Sequence, residues 1–414
     1  MSSISFFVGK GGVGKSTLAS ATAVQAALGG KRVLVVSTDQ AHSLGDVLGV
    51  TVTPSGESEP VRILTEERSG DNGGGHLDAL ALDTLALLES AWCATAPVLA
   101  GRFPSSDVGN LAPEELSALP GIQEVLGLRR VAELAECGRW DYVVVDCAST
   151  ADALRMLTLP AAFGEYVERC WPRHRRLSVA IDDVRTAATV ALVEAVSTGV
   201  ESLAALLTDS ERVAAHLVLT PERVVAAETV RTLGSLALMG VRVAELIVNQ
   251  VLFQDDSYEY RNLPDHPAFD WYAARIAEQE SVLTDLADAI GAIRMVLTAH
   301  LAGEPIGPKA LSQLLDEARR RDGAAPPMPL RPVVDRESGT GLSAVYRLRL
   351  GLPQVDAGEL SLGRAGDDLI VAVAGLRRRI RLAPVLRRCV VADAALRGSE
   401  LTVRFRPNPD VWPA

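Results

Sequence analysis

Apolar residues along the chain fall in short runs separated by stretches of helical period. Ile4–Val8 is an apolar run that ends at Gly9, and a helical pattern opens near Lys15 and continues to about Leu28. Lys31–Ser37 (KRVLVVS) and Leu77–Asp83 are further runs, the latter leading into a helix through Trp92. Asp141–Asp146 (DYVVVD) predicts a central strand, and His216–Thr220 and Leu246–Asn249 predict two more. Short aliphatic runs bounded by turn residues are strands buried on both faces. Their alternation with helices over about 300 residues predicts an α/β fold with a doubly wound, mostly parallel sheet. Ser55–Gly75 is polar, ends in GDNGGG and predicts a surface loop.

The texture changes at Arg319–Pro332 (RRRDGAAPPMPLRP), where four prolines break any helix. Beyond it come short turn-punctuated segments: AVYRLRLGLP, ELSLG, DDLIVAVAG, RRRIRLAP and ELTVRFRPNP. Tyr346, Leu348 and Leu350 alternate with Arg347 and Arg349, the period-two signature of a half-buried strand. The expected organisation is an α/β region over 1–320, a linker over 321–332 and a small all-β sandwich over 333–410.

Composition narrows the class. The chain has 414 residues, mean hydropathy +0.17 and only 4% aromatics, so its core is built of Ala, Val and Leu. No continuous apolar run approaches the ~18–20 residues that span a bilayer. The N-terminus lacks a signal pattern, which makes the cytoplasm the expected compartment and leaves the chain not integral to a membrane. Cys93, Cys137, Cys147, Cys170 and Cys389 include no CxxC pair, so no zinc site is expected. A net charge of −11 argues against nucleic acid as a partner. Of 41 basic residues only four are lysines (Lys10, Lys15, Lys31 and Lys309), and two of these sit in one loop.

That loop is GKGGVGKST, Gly9 to Thr17. It satisfies G-x-x-x-x-G-K-[ST] after a strand and before a helix, the context that supports a phosphate loop. Gly9, Gly11, Gly12, Val13 and Gly14 let backbone N–H groups curl around phosphates, with the dipole of the following helix helping. Lys15 is placed to reach the β- and γ-phosphates, Ser16 to ligate Mg²⁺, and Thr17 to contact the α-phosphate. ATP and Mg²⁺ are the expected cofactors.

The loop, then STDQAHSLGDVLG (Ser37–Gly49), then VVVDCASTADALRMLTLP (Val143–Pro160) resemble, in order, the family of arsenical pump-driving ATPases. That family includes cytosolic targeting factors for tail-anchored membrane proteins. LPGIQEVLGL (Leu119–Leu128), LTPERVVAAETVRTL (Leu219–Leu233), IVNQVLF (Ile247–Phe253) and LAGEPIGPKAL (Leu301–Leu311) extend the likeness over roughly residues 1–320. The resemblance implies an ATPase working as a face-to-face homodimer, or as a heterodimer with a related ATPase. Lys10 would cross to the partner's phosphates as an arginine finger does, its compact ammonium fitting where a planar guanidinium would not. Asp39 would orient the attacking water, Asp146 would hold the Mg²⁺ shell and Asn249 would meet the adenine edge. The expected catalytic set is Lys10, Lys15, Asp39 and Asp146. His42, in the first switch, reads as a packing residue.

Several positions depart from the family pattern. Gln40 replaces a proline of the first switch; Cys147, Ser149, Ala151 and Asp152 replace Thr, Pro, Gly and His of the second; His300 replaces a proline before Leu301. Losing proline and glycine changes the backbone freedom of a moving segment, so slow or altered hydrolysis is one expectation. In the family a helical subdomain carries cargo; its pieces here would be about 84–135 and 161–210. Leu177–Leu207 would line a groove for an apolar client helix or form an ordinary buried helix, and both readings stand. Arsenite would need three converging thiolates, and the scattered cysteines favour simple burial. The CxxC of zinc-bridged relatives is absent around Phe253–Tyr272, so a dimer would rest on protein contacts and nucleotide.

The β-rich tail (LRLGLPQVDAGELSLGRAGDDLIVAVAGLRRRIRLAP) resembles the α-crystallin (small heat-shock protein) domain that some bacterial members carry. It implies a protein client or another subunit as partner. Arg377, Arg378, Arg379 and Arg381 read as a solvated edge that blocks sheet-to-sheet aggregation. The expectation is an ATP-hydrolysing dimeric switch handling a client or metalloid. Two alternatives stand beside it: a weakly hydrolysing, nucleotide-gated chaperone-like module, and a partitioning (ParA/MinD-like) ATPase, whose basic surface or C-terminal amphipathic helix the chain does not show.

Overall fold

A computed structural model describes residues 2–39, 43–54, 59–66, 74–102, 112, 115, 121–179, 184–253, 266–323, 331–353, 355, 357–373 and 376–412. Gln40, His42, Leu119, residues 254–265 and residues 324–330 lie outside them. The chain forms two compact units, residues 1–214 with 301–317, and residues 215–300 with 318–414.

In the first unit, β1 (Ser3–Val8), β2 (Arg32–Ser37), β3 (Val61–Thr65), β4 (His76–Ala81) and β5 (Tyr142–Asp146) lie in the order β3-β4-β2-β5-β1. Neighbours among β4, β2, β5 and β1 are parallel. Such strands are covered on both faces, and Phe6, Phe7, Val33 to Val36 and Val143 to Val145 are accordingly sealed from solvent. The register sets both Phe7 and Ser37 opposite Asp146, so the ends of β1, β2 and β5 meet at one edge. β3 falls inside the stretch expected to be a loop. It pairs antiparallel with β4 as an exposed edge strand with a register shift between Arg62 and Leu64, which removes the alternation a sequence reading needs.

The helices of this unit are α1 (Lys15–Leu28), α2 (Ser43–Leu48), α3 (Thr84–Arg102), α4 (Ile122–Glu136), α5 (Thr150–Cys170), α6 (Arg173–Val179), α7 (Val184–Leu207) and α10 (Gly307–Asp316). α10 packs on α1, where Gln25 donates to Asp316 at 3.0 Å. α3 packs on α4 and α7, and α5 also packs on α4 and α7. Within α3, Thr84–Gly101 is long and apolar enough to cross a membrane by length and composition alone, with mean hydropathy 1.2. Glu89 and Pro97 interrupt that segment, so it is not the continuous apolar run sought in the sequence.

Arg176 on α6 ties three elements together. It is 2% exposed and donates from Nε to Glu194 (2.7 Å), from Nη1 to the Trp171 carbonyl (2.6 Å) and from Nη2 to Glu168 (3.3 Å). Glu194 keeps Arg173 at 3.2 Å and Glu168 is largely exposed, so what removal of Arg176 takes away is three hydrogen bonds from a buried guanidinium. At about 1 kcal/mol for each bond, Arg176→Ala is expected to lower unfolding free energy by about 3 kcal/mol, read from denaturant midpoints. A loss of only ~0–1 kcal/mol, the size of a surface pair, contradicts this role.

In the second unit, β6 (Val213–Leu219), β7 (Val243–Val251), β8 (Arg294–Ala299) and β9 (Arg319–Arg321) lie in that order, the first three parallel and β9 antiparallel to β8. β9 comes from the start of the stretch read as linker. Its three arginines are exposed, so backbone pairing holds it and no apolar pattern announces it. α8 (Arg223–Met239) and α9 (Pro267–Ile290) pack on each other.

The unit's remaining strands form two antiparallel sheets. β10 (Val333–Ser338), β11 (Val345–Gly351), β16 (Glu400–Pro407) and β15 (Cys389–Arg397) make one; β12 (Leu360–Ala365), β13 (Asp368–Val373) and β14 (Leu376–Arg381) make the other. Leu348, Leu350, Val403, Phe405, Leu369, Val371 and Ile380 share one core, to which α8 contributes Leu238. Arg347 and Arg349 lie on the opposite face against Asp335. The alternation read from the sequence is thus the inside–outside alternation of β11.

Candidate nucleotide site

The site begins where β1 ends. Gly12 and Gly14 take φ of +81° and +91°, a region side chains rarely enter, and this curls the chain from strand to helix. A Cβ built on Gly11 or Gly12 meets nothing within 4 Å, so the glycines face open space. Gly14 caps α1 without a side-chain hydrogen bond. The first N–H groups of that helix are thus left for an anion, and its dipole favours one. Val13 is buried and anchors the loop, Lys15 is 7% exposed, and Ser16 and Thr17 are half-buried on the first turn of α1.

Lys15 Nζ donates to the Lys10 carbonyl at 3.1 Å, bridging the two ends of the loop, while the Lys10 residue itself is exposed. Ser16 Oγ and Ser43 Oγ lie 2.8 Å apart. The end of β2 is stitched to β5, where Thr38 N donates to the Asp146 carbonyl at 3.0 Å, and Asp39 N is held locally by Ser37 Oγ at 3.2 Å. Lys15, Ser16 and Asp39 all act on the Asp146 carboxyl.

Asp146 is the electrostatic centre. Burial pushes its carboxyl up to about 6, against a hydrogen bond from Ser16 and the charge of Lys15; the Asp39 charge adds to the rise. Its Oδ1 is buried and accepts no hydrogen bond from the described residues. The unpartnered carboxylate oxygen of Asp146 and the Ser16 hydroxyl beside it are hard oxygen donors, and they fit a Mg²⁺ shell. Cys147 is 1% exposed, and burial followed by the Asp146 charge pushes its thiol far above the usual range, leaving it inert.

The departures of the second switch have a structural consequence that the sequence alone does not announce. Ser149 caps α5 by accepting from Asp152 N at 3.2 Å and donating to Asp152 Oδ2 at 2.6 Å. Arg155 pairs with that same Asp152 and, at 3.2 Å, with Glu124 on α4. Burial works to raise the Asp152 carboxyl, but the Ser149 and Arg155 hydrogen bonds win and hold it below the ordinary value. Where the family pattern has Pro and His, Ser149 and Asp152 therefore build a reciprocal cap. The S-x-x-D spacing is the signal that marks it.

Asn249 lies near the end of β7, 7% exposed, with Oδ1 accepting from Thr298 Oγ1 at 2.8 Å. Gln250 next to it has φ 60°, the one non-glycine with positive φ among the described residues. Such backbone is held only when its surroundings fix it. Gln279 does so, accepting from Leu252 N (2.8 Å) and donating to the Gln250 carbonyl (3.3 Å). Thr298 and Gln279 do not stand out in the sequence, since a lone Thr or Gln in an apolar stretch carries no motif.

Residues 2–317 match the family profile described as "Anion-transporting ATPase", and residues 343–405 the profile described as "HSP20-like domain found in ArsA". Protein Rv2184c of Mycobacterium tuberculosis is 69% identical over 410 residues, 99% of this chain and 97% of its own length. A putative arsenical pump-driving ATPase of Chlorobaculum tepidum is 25% identical over 96% of this chain and 95% of its own. An ATPase ASNA1 homolog of Paramecium tetraurelia is 24% identical over 75% of this chain and 90% of its own.

Proposed function

The chain belongs to the anion-transporting ATPase family, and on that premise we propose that it is an ATP-hydrolysing switch closed by pairing of two subunits. The observation that carries the reading is that Lys15, Ser16 and Asp39 all act on the carboxyl of Asp146, whose buried Oδ1 has no hydrogen-bond partner among the described residues. Gly9 to Gly14 and the α1 N-terminus hold the phosphates; Lys15 leaves the Lys10 carbonyl for the β- and γ-oxygens, and Thr17 takes the α-phosphate. Ser16, and Asp146 through a water of the ion's shell, would hold Mg²⁺, which would neutralise charge on the transferring group. Asp39, tethered to β2 through Ser37, orients the attacking water, and Asn249 reads the adenine edge. Lys10 brings its cation to the partner's phosphates, so each site is complete only in a dimer.

The reciprocal cap at Ser149 and Asp152 favours a second reading, in which a restrained switch hydrolyses slowly and nucleotide gates binding of a client protein. Both readings require closure on ATP. Adding Mg²⁺ with a non-hydrolysable ATP analogue is expected to double the light-scattering mass of the wild type and leave Lys15→Ala unchanged. An unaltered mass with the analogue demonstrably bound contradicts nucleotide-driven pairing.

A further inference from the structure

We propose that the cavity between the edges of β10 and β14 is a binding site for an extended acidic–aliphatic segment of a partner polypeptide. The cavity has a volume of about 350 Å³; Val334, Leu348 and Ile380 give it an apolar floor, and Arg378, Arg379 and Arg381 give it a basic wall. Leu348 and Ile380 are buried, whereas Val334 is half-buried and reachable.

Both flanking strands are sheet edges. Among the described residues β10 pairs with β11 alone and β14 with β13 alone, which leaves each with one side not paired to a described strand. An open edge beside a side-chain pocket is the arrangement that takes up an extended segment. Main-chain hydrogen bonds supply affinity, and every second side chain enters the pocket. The floor therefore calls for an aliphatic side chain and the wall for a carboxylate.

Charge decides the sign. Arg378 donates from Nη1 to the Leu238 carbonyl at 2.9 Å, and among the described residues no carboxylate lies within ion-pair distance of it. Its burial is uncompensated and works against its charge. Arg379 lies 3.8 Å from the Asp368 carboxylate, and Arg381 is exposed. Three guanidiniums at one concavity stand out in a chain of net charge −11. They complement a carboxylate, for which the fork geometry of arginine is suited. The run expected to be a solvated edge thus turns at least Arg378 inward, and the cap it places on α8 gives that helix end a direct link to the cavity.

The test uses the full chain and fluorescence anisotropy. The probe is an acetylated, fluorescein-labelled heptapeptide alternating Val and Glu; its companion carries Gln for every Glu. The proposal expects saturable binding of the Glu peptide, weakened about tenfold or more in the Gln peptide and to a similar extent in Arg381→Glu protein. Arg381 is exposed, so that variant keeps its core, and an unchanged unfolding midpoint shows it; Val334→Asp is a second variant that spoils the floor and should also abolish binding. Equal affinity for the two peptides, no saturable binding, or indifference to both variants overturns the proposal. Competition by an oligothymidylate at equal strength also overturns it, assigning the arginines to phosphate.

Discussion

Lys10→Ala is expected to cut ATP turnover by about a thousandfold or more, the scale on which a cation supplied across an interface acts. Nucleotide affinity of the lone subunit should barely move. The carbonyl at position 10 is what Lys15 Nζ engages at 3.1 Å, and alanine keeps that carbonyl. The Lys10 residue is exposed while Lys15 is buried, as the proposed division of work between the partner's site and their own requires. The check is kcat beside the dissociation constant for ATP. A loss shared equally by both quantities would place Lys10 in its own subunit's site and remove the reason for a dimer.

Asp146→Asn is expected to lower Mg²⁺-supported turnover while stabilising the nucleotide-free protein. With the carboxyl pushed up from 3.8 to about 6, the native state binds its proton more tightly than the unfolded chain does. Native stability is then fully present below pH 3.8 and falls as pH rises toward about 6. Above that the whole cost, about 3 kcal/mol, is in force, because each tenfold gain in proton affinity is worth ~1.4 kcal/mol. Asparagine carries no charge, so at pH 8 the variant should be more stable by up to ~3 kcal/mol, and near pH 4 the two should nearly coincide. Turnover should drop by about 10²–10³-fold, as for other lost electrostatic contacts to a developing charge. The same proton competes with the cation, so Mg²⁺ affinity of the wild type should weaken as pH falls below about 6. Denaturant titrations at the two pH values decide it; an Asn variant less stable at pH 8 would show that Asp146 already has the partner it lacks here.

Much of the fold is legible because parallel strands write unbroken apolar runs. FFV, VLVV and YVVV need only their lengths and flanking turns to be read, and they are the sealed strands β1, β2 and β5. The phosphate loop is legible for a different reason. Its glycines and lysines are fixed by backbone geometry and phosphate chemistry, and both leave a spaced pattern in the chain. Other features lack any such pattern. β3 and β9 are edge strands held by main-chain pairing, and β9 is written in arginine. Gln279 and Thr298 act through single long-range hydrogen bonds that no local spacing encodes. The inward turn of Arg378 depends on Leu238, 140 residues away in sequence, so RRRIR looks solvated until the fold is seen. The second switch lies between these cases. Ser149 and Asp152 stand out as departures, yet their meaning as a reciprocal cap rests on a three-residue spacing that only the folded helix end makes plain.

The central claim is that Lys10 completes the partner's site, and mixing two inactive variants tests it most directly. Lys10→Ala keeps a whole set of its own residues and lacks only the cation it lends; Asp39→Asn lends a normal Lys10 and lacks its own water-orienting carboxylate. In random pairing half the dimers are mixed, and each holds one complete site, so an equal mixture should recover about a quarter of the wild-type ATPase rate. Each variant alone should stay near background. A mixture no more active than its two components, under conditions where dimers form and exchange, would contradict the shared site.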